Sequence, residues 1–133
     1  MVELNIKCMF CGHSLRDEQV RLDSCPSVRV NIVSGRRKGD LYLSSLYESR
    51  TTFVSIDLPE WKIARFYCPH CGKELRDSRK CSKCAAPLVP LEREEGGLIL
   101  VCSRKGCKKP LYQFEDIDVA MSAFYEAYPL FFK

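Results

Sequence analysis

Most apolar positions along the chain recur with period two. Val28–Val33 (VRVNIV) alternates apolar and polar side chains and is rich in β-branched residues, which predicts a strand with one buried face. Ser34–Asp40 (SGRRKGD) carries two glycines and reads as a turn, with Leu41–Tyr47 (LYLSSLY) as the returning strand. Thr51–Leu58 (TTFVSIDL) predicts a third strand, stopped by Pro59, and Trp61–Tyr67 (WKIARFY) runs directly into a cysteine. The N-terminal VELNIK feeds another cysteine in the same way. Leu88–Leu91 and Leu98–Val101 are apolar runs on either side of Glu92–Gly97, whose Gly96-Gly97 marks a hairpin turn. PLYQFED, residues 110–116, predicts a last strand. Only then does the period change. Ile117, Met121, Phe124, Tyr125 and Tyr128 fall on one face at helical spacing, Asp116 or Asp118 can cap, and Pro129 stops the run. The pattern predicts a mainly β fold with three or four antiparallel strands between residues 12 and 67 and one C-terminal α-helix.

The cysteines change this picture. Nine occur among 133 residues, and eight fall into close pairs: Cys8/Cys11, Cys68/Cys71, Cys81/Cys84 and Cys102/Cys107. CMFCGHSLRD at 8–17 returns as CPHCGKELRD at 68–77, with both cysteines, the glycine and Leu-Arg-Asp repeated. A C-x-x-C on a tight turn aims two sulfurs at one ion, and a glycine after it suits the backbone of that turn. The first residues, MVELNIKCMF, hold neither a basic segment nor a long apolar run, and no stretch has the roughly 18 apolar residues of a membrane span. The expectation is therefore a cytoplasmic chain with reduced thiols that bind metal rather than form disulfides. Eight cysteines supply two tetrahedral four-sulfur shells of the kind Zn²⁺ prefers. The 85–101 hairpin brings Cys81/Cys84 to Cys102/Cys107, and Cys8/Cys11 then pairs with Cys68/Cys71. The competing arrangement joins Cys68/Cys71 to Cys81/Cys84 and leaves Cys8/Cys11 for Cys102/Cys107.

Cys81-x-x-Cys84, then Pro-Leu-Val, a glycine, Cys102-Ser and the closing Cys107 resemble the C-terminal zinc ribbons of bacterial type IA topoisomerases over residues 81–107. Cys8-Met-Phe-Cys-Gly and Cys68-Pro-His-Cys-Gly are similar to the knuckles of rubredoxins, which implies that iron could replace zinc at that site. Cys11-Gly12-His13, the Tyr67–Gly72 knuckle and Asp118–Tyr125 resemble, in order and local motif, the small zinc subunit of acetone-carboxylase-type enzymes. The expected organisation is a first zinc ribbon over 1–77 with a β insertion at 12–67, a second ribbon over 78–115, and a C-terminal helix and apolar tail over 116–133.

Charge is mildly basic, +4 with a sequence pI near 8.6, which permits nucleic-acid binding without requiring it. Candidate phosphate contacts are Arg36, Arg37 and Lys38 on the presumed hairpin tip, with Arg76, Arg79, Lys80, Lys83, Arg104, Lys105, Lys108 and Lys109 around the second ribbon. The second hairpin, PLVPLEREEGGLILV, offers no aromatic for base stacking and carries Glu92, Glu94 and Glu95. No catalytic residue is expected. Four-cysteine shells are closed, His13 and His70 belong to the knuckles, and Cys25 reads as an idle thiol. The terminal apolar residues Phe124, Leu130, Phe131 and Phe132 suggest an interface with another protein. Together these features lead to a non-catalytic structural zinc protein with two Zn²⁺, working as an accessory subunit in a hetero-oligomer. They leave no place for a membrane or a small-molecule substrate. Nucleic-acid binding is the second expectation, and a rubredoxin-like iron electron carrier the third.

Overall fold

The computed structural model describes residues 3–107 and 112–114. Nine strands are seen in these residues: β1 (Ile6–Lys7), β2 (Arg16–Leu22), β3 (Cys25–Ser34), β4 (Arg37–Leu43), β5 (Thr52–Val54), β6 (Arg65–Tyr67), β7 (Leu88–Arg93), β8 (Leu98–Cys102) and β9 (Tyr112–Phe114). They form two antiparallel sheets, β2-β3-β4-β5 with β6 added to β3, and β1-β7-β8-β9. The long strand β3 is the axis of the first sheet. Its Val28, Val30 and Ile32 are buried in the period-two pattern read from the sequence. One edge of β3 is covered by β4 over residues 28–34, and the other is shared between β2 over residues 25–28 and β6 over residues 31–33.

The 34–40 turn is tighter than its composition suggested. Ser34 pairs with Arg37, so only Gly35 and Arg36 turn, with Gly35 at φ 60°, and Arg37 and Lys38 belong to β4. The strands read at 41–47 and 51–58 are cut to β4, ending at Leu43, and the short β5. A polar knot sits where β4 ends and β5 begins. Asp23 accepts hydrogen bonds from the hydroxyls of Ser44 (2.6 Å), Ser49 and Thr51 (3.2 Å), fastening the loop between the two strands. These bonds, that of Ser44 first, hold the Asp23 carboxyl below its usual range. Asp23 and Ser24 themselves turn the chain from β2 into β3 with φ of 55° and 63°. β2 (RDEQVRL) escapes the hydrophobic pattern altogether, because it lies largely exposed and carries few apolar side chains.

One hydrophobic core joins the two sheets. It includes Ile6 from β1, Val28, Val30 and Ile32 from β3, Phe66 from β6, Leu91 and Ile99 from the second hairpin, and Tyr112 from β9. Each such side chain contributes roughly 1.5–3 kcal/mol by leaving water. Tyr112 is wholly buried and its hydroxyl donates to the Ser44 carbonyl at 2.6 Å, fastening β9 to the end of β4.

The expected fold class needs a correction. The described residues are mainly β with two four-cysteine clusters and contain no helix; the helix read over 116–128 lies outside them. Helical spacing states which face a helix would bury. The stability of a segment about a dozen residues long comes instead from packing that spacing does not specify. Lys108, Lys109, Phe124, Leu130, Phe131 and Phe132 also lie outside the described residues. Among the described residues no helix is long and apolar enough to cross a membrane.

Candidate metal centres

Each C-x-x-C knuckle is built by the same backbone circuit. The Cys8 N–H donates to the His13 carbonyl at 2.9 Å, and the Gly12 N–H donates back to the Cys8 carbonyl at 2.9 Å. The Cys68 N–H donates to Lys73 at 3.0 Å and the Gly72 N–H to Cys68 at 3.0 Å; the Cys81 N–H donates to Ala86 at 2.8 Å and the Ala85 N–H to Cys81 at 2.8 Å. The residue after the second cysteine has positive φ in all three: 75° at Gly12, 77° at Gly72 and 61° at Ala85. The first two knuckles are also fastened alike behind the turn. Leu15 N–H donates to the Ile6 carbonyl (2.9 Å), Leu75 N–H donates to Phe66 (2.8 Å), and both leucines are buried. Thus the repeated Leu of CGHSLRD and CGKELRD anchors each knuckle to the core, while the cysteines and glycine shape its tip.

The sulfurs of Cys8, Cys11, Cys68 and Cys71 all lie within 4.8 Å of one another, and so do those of Cys81, Cys84, Cys102 and Cys107. None of the nine cysteines forms a disulfide. Cys8 and Cys71 sulfurs are 3.8 Å apart, Cys11 and Cys68 3.8 Å, Cys81 and Cys107 3.7 Å, and Cys84 and Cys102 3.4 Å. A tetrahedron with metal–sulfur bonds of about 2.3 Å has edges of about 3.8 Å, so both groups fit a four-thiolate ion and are too open for a disulfide at about 2.05 Å. The first pair of knuckles meets across the whole β insertion, and the second across the β7–β8 hairpin. Both groups are geometrically compatible with zinc-ribbon-like sites, and which metal they would hold is open, since four thiolates suit zinc and iron alike.

The first site is also lined with donors. Phe10 N–H points at the Cys8 sulfur (3.3 Å), and the N–H groups of His70 (3.3 Å) and Cys71 (3.4 Å) point at the Cys68 sulfur. Without an ion, burial pushes the Cys8 thiol up to about 12 and raises Cys68 as well; Cys71 is exposed and lies low, chiefly through the N–H of Lys73. In the second site burial raises Cys102. Cys84 is lowered to about 6: burial opposes ionisation there, and hydrogen bonds from the Ala86 N–H and the Cys102 and Arg104 side chains outweigh it. Loading either site therefore displaces protons from the buried thiols.

The fourth knuckle, Cys102–Cys107, carries a second loop on its back. Trp61 N–H donates to the Lys105 carbonyl (2.9 Å), Lys105 N–H to Lys62 (2.9 Å), and Ala64 N–H to Ser103 (3.1 Å). Arg104 Nη1 donates to the Trp61 carbonyl (3.0 Å) and Nη2 to the Cys84 carbonyl (3.4 Å). The Arg104 guanidinium also lies over the Trp61 ring, 5.3 Å from its centre. Trp61 has φ 68°, a conformation costing a bulky residue about 1–3 kcal/mol, and its side of the loop leaves it 54% exposed. Gly106 has φ 83°, a conformation that favours glycine, and lies against the carboxylate of Glu60. No sequence signal announces this loop, since Trp61 and Arg104 lie far apart in the chain and WKIARFY reads simply as a strand.

The remaining candidates sit in varied surroundings. His13 and His70 stack on each other beside the first site, ring centres 3.5 Å apart. Arg79 is engaged by Asp77 (2.8 Å) and Arg37 by Asp57 (3.5 Å); Arg36 occupies the hairpin tip, and Lys80 and Lys83 are exposed. Cys25 lies at the start of β3, apart from both clusters. A cleft of about 350 Å³ opens between β4, β5 and the fourth knuckle, lined by Leu41, Leu43, Val54, Phe66 and Val101 with Arg104 and Lys105 at its polar side. No protein-family model, curated protein or solved structure matches the chain, so the likenesses to topoisomerase ribbons, rubredoxins and acetone-carboxylase subunits rest on local motifs alone.

Proposed function

We propose that this is a non-catalytic structural zinc protein that acts through contacts with other proteins, as an accessory subunit of a larger assembly. The observation that supports it is the closure of both cysteine groups. Each offers four sulfurs to one ion and leaves no position for a substrate or a reactive water. An ion so held cross-links segments distant in sequence, and its contribution is to folding.

Sizing of the native protein in extract from its own source, with and without nuclease, tests the reading. A large complex that survives nuclease is expected, with two zinc ions per chain by elemental analysis. Elution at the mass of a single chain overturns the subunit reading. Visible colour with iron at the first site replaces it with an electron carrier.

A further inference from the structure

The 57–61 segment gathers cations that the sequence keeps in separate places. Arg37, next to the β3–β4 turn, donates to the Asp57 carbonyl (3.0 Å), and Lys105 Nζ donates to the adjacent Leu58 carbonyl (2.6 Å). Arg104 bridges the Trp61 and Cys84 carbonyls, which places the third knuckle, with its exposed Lys83, beside the tryptophan. Lys62 follows Trp61 and is exposed. Four residue steps span at most about 14 Å, so the hairpin, the fourth knuckle and the third knuckle adjoin along one short track. The acids on the segment, Asp57 and Glu60, each face a cation of the track, Arg37 at 3.5 Å and Lys105 at 3.4 Å. The cations outnumber them.

Within this track stands an exposed indole held in a left-handed backbone conformation, with a guanidinium against its ring. The second hairpin lacks an aromatic, and the fold supplies one here from elsewhere in the chain. An aromatic platform beside cations is what a single-stranded nucleic acid requires: bases stack on the ring and phosphates meet the charges. We propose that Trp61 and the surrounding Arg37, Lys62, Lys83, Arg104 and Lys105 bind single-stranded nucleic acid, with Trp61 stacking a base. This activity is independent of the subunit reading and stands or falls separately from it.

Trp61 is the only tryptophan in the chain, so its emission reports the event directly. The metal-loaded full chain is titrated with fluorescein-labelled oligothymidylate, following Trp61 emission and label anisotropy at several salt concentrations. Quenching is expected together with rising anisotropy. The logarithm of affinity should fall with the logarithm of salt, with a slope of about −0.7 for each phosphate held. Trp61→Ala should weaken binding about ten- to a hundred-fold, and Trp61→Phe should retain most of it. Lys62→Glu, at an exposed position that keeps the fold, should weaken binding and flatten the salt slope. The proposal is overturned if oligothymidylate changes neither signal at low salt, or if Trp61→Ala binds as well as the unaltered chain. Should Trp61→Ala lose its metal, Lys62→Glu decides, and unchanged affinity overturns the proposal. Equal competition by polyglutamate also overturns it, and assigns the face to an acidic protein partner.

Discussion

Ala85 occupies the place that Gly12 and Gly72 take in the other knuckles, at φ 61° and with its side chain exposed. A β-carbon in this conformation costs about 1–2 kcal/mol, offset in part because glycine makes the unfolded chain looser by about 0.4–1 kcal/mol. Ala85→Gly should therefore stabilise the metal-loaded protein by about 1 kcal/mol or less, and Gly72→Ala should destabilise it by about 1 kcal/mol. No neighbouring atom lies within 4 Å of a Cβ built at Gly72, so the effect is one of backbone conformation alone. Chemical denaturation of both variants checks the opposed signs. At this scale the eight cysteines were fully legible, because C-x-x-C spacing and a following glycine describe a local circuit. Trp61 was not. Its exposure depends on Ser103, Arg104 and Lys105, residues that the sequence places far away.

Among elements, the two four-cysteine groups differ in what an ion in each would hold together. The first would tie Cys8 and Cys11, fed by β1, to Cys68 and Cys71, fed by β6, while the second would close the β7–β8 hairpin. Cys68→Ser should leave one metal per chain and loosen the insertion carried between its knuckles. Cys102→Ser should leave one metal and release the Trp61 loop from the fourth knuckle, seen as a shift in Trp61 emission. Both variants should melt below the unaltered protein, whereas Cys25→Ser should keep two metals. Elemental analysis with thermal unfolding reads all three, and two metals retained in both ligand variants would contradict the assignment of the sites. Strand β3 was legible because burial on one face imposes alternation. β2 was hidden because it lies on an open edge, where polar residues serve as well. The early end of β4 was hidden because the loop after it is held by hydroxyls reaching a single carboxylate, Asp23, across the fold.

For the molecule as a whole, Tyr112 is the rivet between the sheets. Tyr112→Phe removes its bond to the Ser44 carbonyl and leaves a buried acceptor unpaired, a loss of about 1–3 kcal/mol. Burial raises the phenol above its ordinary value near pH 10. The stability it supplies is complete below about pH 10 and is lost as the pH rises further, because the unfolded chain ionises there and the folded one does not. The unaltered protein should thus weaken above that pH more steeply than Tyr112→Phe, as denaturant titrations across the alkaline range would record. The union of the two sheets was the part of the fold least visible beforehand, since β1 carries only Ile6 and Lys7, too short a run to declare a partner.

That pairing fixes an order of events during synthesis. Cys8 and Cys11 leave the ribosome early, yet their partners at 68 and 71 follow only after the whole insertion, and the strand that clasps Ile6 and Lys7 ends at Arg93. Residues 81–107 meanwhile hold all four ligands of the second site in one local stretch. The second group can close within its own neighbourhood, whereas Cys8 and Cys11 wait through the whole insertion for Cys68 and Cys71, and Ile6 and Lys7 wait longer still, for Glu92 and Arg93.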